Sequence, residues 1–374
     1  HETKFEKFNI RQIYGFDDCQ VRDYQWQCFN FILSRRGKAI AAMDMGTGKT
    51  LVSLMFCQHN SKFPVVIVCP ATIKENWKNE IKKWIGKRDI SILSGLPSDK
   101  NISRIDSEYI IVNYDILRNK TKNKKEIIEF SGWIDFLPPP KVLIIDEFHK
   151  CGNYDSNQTK AVMRLCEKSE NIIALSRTPI RNNVDELWPI LNKIKPSVAG
   201  TRWDYRERYC NPKHNGFGWN FTGLSNGNEL NSYLSLAMLR LRKKDVLKEL
   251  PEKSIMIVPI ILSKSEMKKY TAERNGFLDN LNGKTMKAGL FKLKRIVGEA
   301  KIGFCREWLS DFFENTKSKF VMFAHHKKVI TDFENVCQSV KIDGSVKTSK
   351  RQKIIEKFQT DEKTRLFLGQ MQAA

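Results

Sequence analysis

The sequence predicts an α/β fold of two lobes, each built on a parallel sheet. Three observations carry that expectation: short β-branched runs, amphipathic helical stretches between them, and a second series of such runs after a helical segment. Lys38–Met43, Val65–Val68, Tyr109–Val112, Val142–Ile145 and Ile172–Leu175 each read as a fully buried strand. Thr50–Cys57 and Ile73–Trp84 carry helical periodicity between them. Continuous apolar strands alternating with helices imply a parallel sheet covered on both faces. The second series is Ile255–Ile261, Phe320–Phe323, Val340–Ile342 and Arg365–Leu368. The expected division is a first lobe over 1–185, a helical insertion over 186–252 and a second lobe over 253–374. The prolines Pro138–Pro140 stop a helix before a strand, and 211–228, rich in Gly, Asn and aromatics, reads as an irregular insertion. The length of 374 residues suits two to three domains at about 150 residues each.

Composition narrows the function. Sixty-four Lys and Arg against 42 Asp and Glu leave a net charge of +22, which predicts a polyanionic partner, most often nucleic acid. With 41% hydrophobic and 10% aromatic residues the chain is globular, which excludes a disordered basic tail. The longest apolar stretch, Ile255–Leu262, has eight residues and a proline, where a membrane span needs about 20. The N-terminus is charged, lacks a signal-peptide core and lacks an initiator Met, so the sequence reads as a fragment. Nine cysteines without a CxxC pair fit reduced, mostly buried thiols of a cytosolic or nuclear compartment, with neither a zinc site nor a disulfide frame expected. A monomer is expected.

One segment carries phosphate chemistry. Asp44-Met45-Gly46-Thr47-Gly48-Lys49-Thr50 follows a predicted strand and precedes a predicted helix. Gly46 and Gly48 let the backbone turn its amides, including that of Thr47, toward a polyphosphate at a helix N-terminus. Lys49 then reaches the β- and γ-phosphates of ATP, and the Thr50 hydroxyl takes a Mg²⁺ position. Met43 stands where the strict GxxxxGK[ST] pattern has glycine. Val142–Ile145, followed by Asp146 and Glu147, supplies the other half: two carboxylates at the carboxyl end of a buried strand. Asp146 is suited to the metal and Glu147 to polarising the attacking water.

With these residues in view, the sequence resembles the Snf2 group of superfamily 2 helicase-like ATPases. Val21-Arg22-Asp23-Tyr24-Gln25 is similar to that family's adenine-reading motif, which implies a nucleotide role for Gln25 and Arg22. The 44–50 loop resembles its motif I, which also lacks the first glycine. Asp146-Glu147-Phe148-His149 resembles a DExH box, in which His149 couples hydrolysis to the bound strand. Cys69–Thr72 with Asn76-Trp77 resembles motif Ia, and Val112–Asp115 resembles motif Ib. Ser176-Arg177-Thr178-Pro179 resembles motif III, with Arg177 in place of a glycine; Ser176 and Arg177 are thereby coupling candidates. Leu241–Pro251 is similar to the stretch before the second lobe, Lys319–Lys327 to motif IV, and 342–358 to the stretch before motif V. Tyr209–Pro212, Gly218–Asn226 and Phe323–His326 resemble the distant branch of annealing helicases.

The resemblance implies two RecA-like lobes, a helical protrusion and ATP-driven movement on double-stranded or forked DNA. It also implies that a duplex crosses between the lobes, with Thr72, Asn113, Tyr114 and Thr178 as the phosphate-contact candidates. Leu368–Ala374 resembles the opening of motif V, and no motif VI with its arginine finger follows. The second lobe is therefore read as incomplete and the chain as weakly hydrolytic. Lys284–Lys301 is either part of an electrostatic track or a solvated helix face, and Lys122, Lys124 and Lys125 read as plain surface. Trp203, Tyr205 and Trp219 either stack on bases or pack the insertion. A strand-separating DExH DNA or RNA helicase, and a nucleotide-gated DNA scaffold with little turnover, remain alternatives.

Overall fold

The computed structural model describes residues 21–98, 102, 105–118, 120–122, 128–130, 132–279 and 284–371. The chain divides into two compact units, His1–Leu250 and Pro251–Ala374.

The first unit is organised by seven parallel strands: β1 (Lys38–Met43), β2 (Val65–Cys69), β3 (Ile90–Ile92), β4 (Tyr109–Asn113), β5 (Val142–Asp146), β6 (Asn171–Ser176) and β7 (Met238–Leu241). Their order across the sheet is β7-β1-β6-β5-β2-β4-β3, and all six pairings are parallel. Strands β2, β4, β5 and β6 are buried at every position. That is the burial expected where helices cover both sheet faces. One face packs against helices α1 (Asp23–Ser34), α2 (Lys49–Asn60) and α3 (Lys74–Ile85), sharing a core that includes Phe29, Leu54, Trp77, Ile67 and Ile144.

The other face departs from the expected division. Helices α4 (Asn157–Lys168), α5 (Trp188–Ile194), α6 (Arg202–Tyr209) and α7 (Gly227–Leu234) send Leu165, Ile190, Tyr205, Tyr209 and Leu230 into one core with Ile40, Val66 and Leu143. Segment 186–250 therefore packs onto the first lobe, and its β7 pairs with β1 in register Ala42↔Arg240. The apolar faces of these helices and of that strand have the sheet to bury against, which a free-standing insertion would not provide.

The second unit has three parallel strands in the order β8-β10-β9: β8 (Phe320–Ala324), β9 (Ser339–Ile342) and β10 (Leu366–Gln370). Its core gathers Leu309, Val329, Ile330, Phe333, Leu366 and Leu368. The strand expected at Ile255–Ile261 is not formed; Ile255, Ile257 and Ile261 are exposed and no strand pairs with them. An apolar run becomes a strand only where a neighbour takes up its backbone groups. The basic run from Lys284 falls on helix Lys284–Ala300. Lys292 pairs with Glu273 and Arg295 lies 3.9 Å from Glu299, so part of that charge is neutralised locally. The side chains of Lys284 and Lys287, residues Lys124 and Lys125, and Cys19 lie outside the described residues. The eight described cysteines are free thiols, and the described residues contain no cluster of metal-ligating side chains. No described helix is long and apolar enough to cross a membrane.

Candidate nucleotide and nucleic-acid site

The sheet order brings the sequence-predicted residues to one edge. The phosphate loop leaves β1, Asp146 ends β5 with Glu147 next after it, and Ser176 ends β6, the strand between them. In α/β sheets this carboxyl edge is where ligands bind.

The loop is held from several sides. Gly46 and Gly48 have φ of +78° and +85°, left-handed values that glycine adopts without penalty. A Cβ on Gly48 would lie 2.2 Å from Gln25 Nε2, so no side chain fits there. Gln25 is buried; its Nε2 donates to the Thr47 carbonyl at 3.0 Å and its Oε1 accepts from the Arg22 amide at 3.0 Å. The base-reading candidate is thus also a brace between α1 and the loop. Arg22, its partner in the nucleotide expectation, has its guanidinium paired with Glu249. Thr47 donates its hydroxyl to the Asp44 carbonyl at 2.7 Å. Asp44 in turn accepts from the Lys243 amide at 2.9 Å and lies 3.7 Å from Arg240, so the end of β7 anchors the start of the loop. That anchor was not visible in sequence, because Met238–Leu241 gave no separate strand signal beside its basic flank.

Lys49 heads α2 and donates to the Met43 carbonyl at 3.0 Å. Burial pulls its pKa down, while Glu147, Asp146 and Asp44 pull it back up and Arg177 lowers it further. Asp146 is buried; its Oδ2 accepts from Trp77 Nε1 at 2.9 Å, and its main-chain carbonyl accepts from the Tyr114 hydroxyl at 2.6 Å. Burial raises its pKa to about 6, opposed by the Trp77 bond and the Lys49 charge, with Glu147 adding to the rise. Lys49 and Asp146 therefore share one electrostatic neighbourhood. The Asp146 carboxylate and the Thr50 hydroxyl are oxygen donors of the kind a divalent cation takes, and the Lys49 ammonium suits the polyphosphate that would carry that cation.

Glu147 sits at φ 54°, a left-handed value uncommon for a residue with a Cβ. That turn swings its side chain toward His149, whose Nδ1 lies 3.1 Å from Glu147 Oε2 and 3.1 Å from Ser176 Oγ. Ser176 Oγ also accepts from the Thr178 amide at 3.1 Å. Burial lowers the His149 pKa and Glu147 opposes the shift. Ser176 is fully buried, so this triangle links the Asp-Glu strand to the 176–178 loop inside the protein. Arg177 is exposed, with its guanidinium 3.9 Å from the Met45 sulfur over the phosphate loop.

The four nucleic-acid candidates separate. Thr72 and Thr178 are exposed. Asn113 and Tyr114 are not: Asn113 Oδ1 accepts from Lys74 Nζ at 3.1 Å, and the Tyr114 hydroxyl is spent on Asp146. The one polar atom of the Tyr114 side chain is thus bonded inside the protein, whereas the Asn113 amide has its oxygen bonded to Lys74 and carries two further N–H donors. Trp77, marked only as part of a motif, is the residue sequence reasoning left without a role. Its buried indole, donating to Asp146, is the reason for a tryptophan there.

A parallel sheet with a glycine loop and an Asp-Glu pair on strands one apart is the arrangement of helicase-like ATPases. The SNF2-related domain family matches residues 24–319, and the chain belongs to it. The chain is 28% identical over 361 residues to the DNA annealing helicase and endonuclease ZRANB3 of Homo sapiens, covering 92% of this chain and 33% of that protein. It is also 28% identical over 358 residues to the SWI/SNF-related matrix-associated actin-dependent regulator of chromatin subfamily A-like protein 1 of Xenopus tropicalis, covering 91% and 36%. The chain spans about a third of the length of these curated relatives. In fold it is similar to the Sulfolobus solfataricus SWI2/SNF2 ATPase core solved in complex with dsDNA, with TM-score 0.52, 23% identity, and coverage of 97% of this chain and 80% of that one. The expected likeness to the annealing-helicase branch is thereby met.

Proposed function

We propose that this chain is the motor of an ATP-dependent translocase or remodeller acting on double-stranded or forked DNA. The observation that carries the reading is the convergence of Lys49, Asp146, Glu147 and Ser176 at the ends of neighbouring strands β1, β5 and β6. In this reading the 46–50 amides and Lys49 bind the phosphates, Lys49 exchanging the Met43 carbonyl for a phosphate oxygen. Thr50 and Asp146 hold Mg²⁺, which supplies charge neutralisation on the β- and γ-phosphates when bound. Glu147 takes a proton from the attacking water, and its tie to His149 and Ser176 lets that step sense the 176–178 loop. Thr72 and Thr178 offer hydroxyls to DNA phosphates, contacts that position without reading sequence. Gln25 and Arg22 face the base end, Gln25 while bracing the loop.

The test is phosphate release from the full-length protein with duplex, forked and single-stranded DNA, or RNA, as cofactor. Duplex or forked DNA is expected to stimulate turnover, and Lys49→Ala or Glu147→Gln to abolish it while DNA binding persists. Wild-type-like turnover in either variant removes these roles.

A further inference from the structure

Residues 211–222 form a projection that the nucleotide chemistry leaves unused. Lys213–His214 pairs antiparallel with Trp219–Asn220. Between them the Asn215 amide donates to the Gly218 carbonyl at 3.0 Å, and Asn215 Oδ1 accepts from the amides of Phe217 and Gly218 at 3.1 and 2.9 Å. Gly216 takes φ +88°, which lets this turn close. The base is pinned to the lobe: the Asn211 amide donates to Ser225 Oγ at 3.2 Å, Asn226 Nδ2 donates to the Arg208 carbonyl at 2.8 Å, and Phe221 lies 4.3 Å beneath the Arg206 guanidinium.

This rigid hairpin displays aromatics. Phe217 at its tip is 102% exposed, and Trp219 and Trp203 of α6 remain 53% and 52% exposed with ring centroids 6.0 Å apart. Single exposed apolar residues need no explanation, but two large exposed rings on one projection, with a third on α6 against its Trp219, form a contact surface. Its charge selects the partner. Asn211–Thr222 holds one Lys, one His and no acidic residue, in a chain of net charge +22. An anion with planar apolar faces fits both features, and that is a nucleic acid. Inside a duplex each base face is covered by its neighbours, whereas an unpaired base or the last pair of a duplex leaves a face open to an aromatic ring.

We propose that the 213–220 hairpin stacks Phe217 on open nucleobase faces where a duplex splits into single strands. The inference rests on the DNA-motor reading and adds the feature of the DNA that is engaged. The apolar ring at the tip makes no base-edge hydrogen bond, so the contact is independent of sequence.

The experiment uses the full-length protein, without nucleotide, and a fork carrying 2-aminopurine at its first unpaired positions, with a blunt duplex as control. Wild type is expected to quench the probe and to prefer the fork. Phe217→Ala should remove the quench and weaken fork binding about 5- to 150-fold, the range spanned by base–aromatic stacking. Blunt-duplex binding and blunt-duplex-stimulated ATP turnover should stay unchanged. Phe217→Tyr should restore the quench, which separates stacking from any change in hairpin shape. Unaltered quench and fork affinity in Phe217→Ala overturns the proposal and leaves the patch to a protein partner. Because stacking is read at equilibrium, a protein that quenches the probe but shows no DNA-stimulated turnover defeats the motor reading and not this one.

Discussion

The carboxyl edge of the first sheet has two sides, and they differ in what their polar residues do. On the side of β1, β6 and β5, the charges of Asp146 and Glu147 raise the Lys49 pKa, and the Lys49 charge lowers that of Asp146. On the side of β2 and β4, Asn113 and Tyr114 are buried, with the Asn113 Oδ1 accepting from Lys74 and the Tyr114 hydroxyl donating to the Asp146 carbonyl. Both sides match their motifs equally well in sequence. The difference teaches that a motif transfers a position, while the hydrogen bonds a polar side chain already makes there decide how much of it is left for a ligand.

The largest effect that sharpens this contrast belongs to Asp146. Its pKa in the folded chain is about 6, raised from an ordinary 3.8 chiefly by burial. The folded state therefore binds more protons than the unfolded state between those values, so stability falls as pH rises through that window and stays lower above it. Asp146→Asn keeps an acceptor for Trp77 and discards the buried charge. In chelator, the variant is expected to be more stable than wild type by about 1–3 kcal/mol at about pH 8, the two converging near pH 4. DNA-stimulated turnover should be lost in the same variant. Urea unfolding at the two pH values checks this; a less stable variant at the higher pH would mean that burial does not dominate the site.

Next in size is Ser176→Ala, which removes the hydroxyl shared by His149 and the Thr178 amide. Basal turnover should persist while the ratio of DNA-stimulated to basal turnover falls about tenfold, a change of about 1.4 kcal/mol in barrier. Equal losses in both rates would make Ser176 part of the chemistry instead of the link to the 176–178 loop.

How far the sequence could be read follows from the same physics. Runs such as Val142–Ile145, buried at every position, announced themselves because a strand covered on both faces reads as a near-continuous apolar stretch. The phosphate loop was legible because its glycines answer a backbone demand that the structure repeats at Gly46 and Gly48. Ile255–Ile261 misled because its composition is that of a buried strand, and composition does not specify a pairing partner. Met238–Leu241 was missed because its four residues include Arg240, whose charge belongs to Asp44 across the strand end. Trp77 and Tyr114 stayed hidden because their contacts with Asp146 join residues 69 and 32 positions apart, which no local pattern records.

The smallest effects discriminate most sharply between strut and ligand. Tyr114→Phe deletes one buried hydrogen bond to the Asp146 carbonyl and should lower stability by about 1 kcal/mol, with DNA affinity unchanged. Thr72→Ala and Thr178→Ala remove exposed hydroxyls and should leave the unfolding midpoint in place. Each should weaken duplex binding about 2- to 10-fold, with an unaltered slope of log affinity against log salt because no cation is lost. Binding isotherms at three salt concentrations, run beside urea melts of the same three variants, give both readouts. A Tyr114→Phe variant that binds DNA poorly but unfolds like wild type would return Tyr114 to the DNA-contacting side and erase the division between the two halves of the sheet edge.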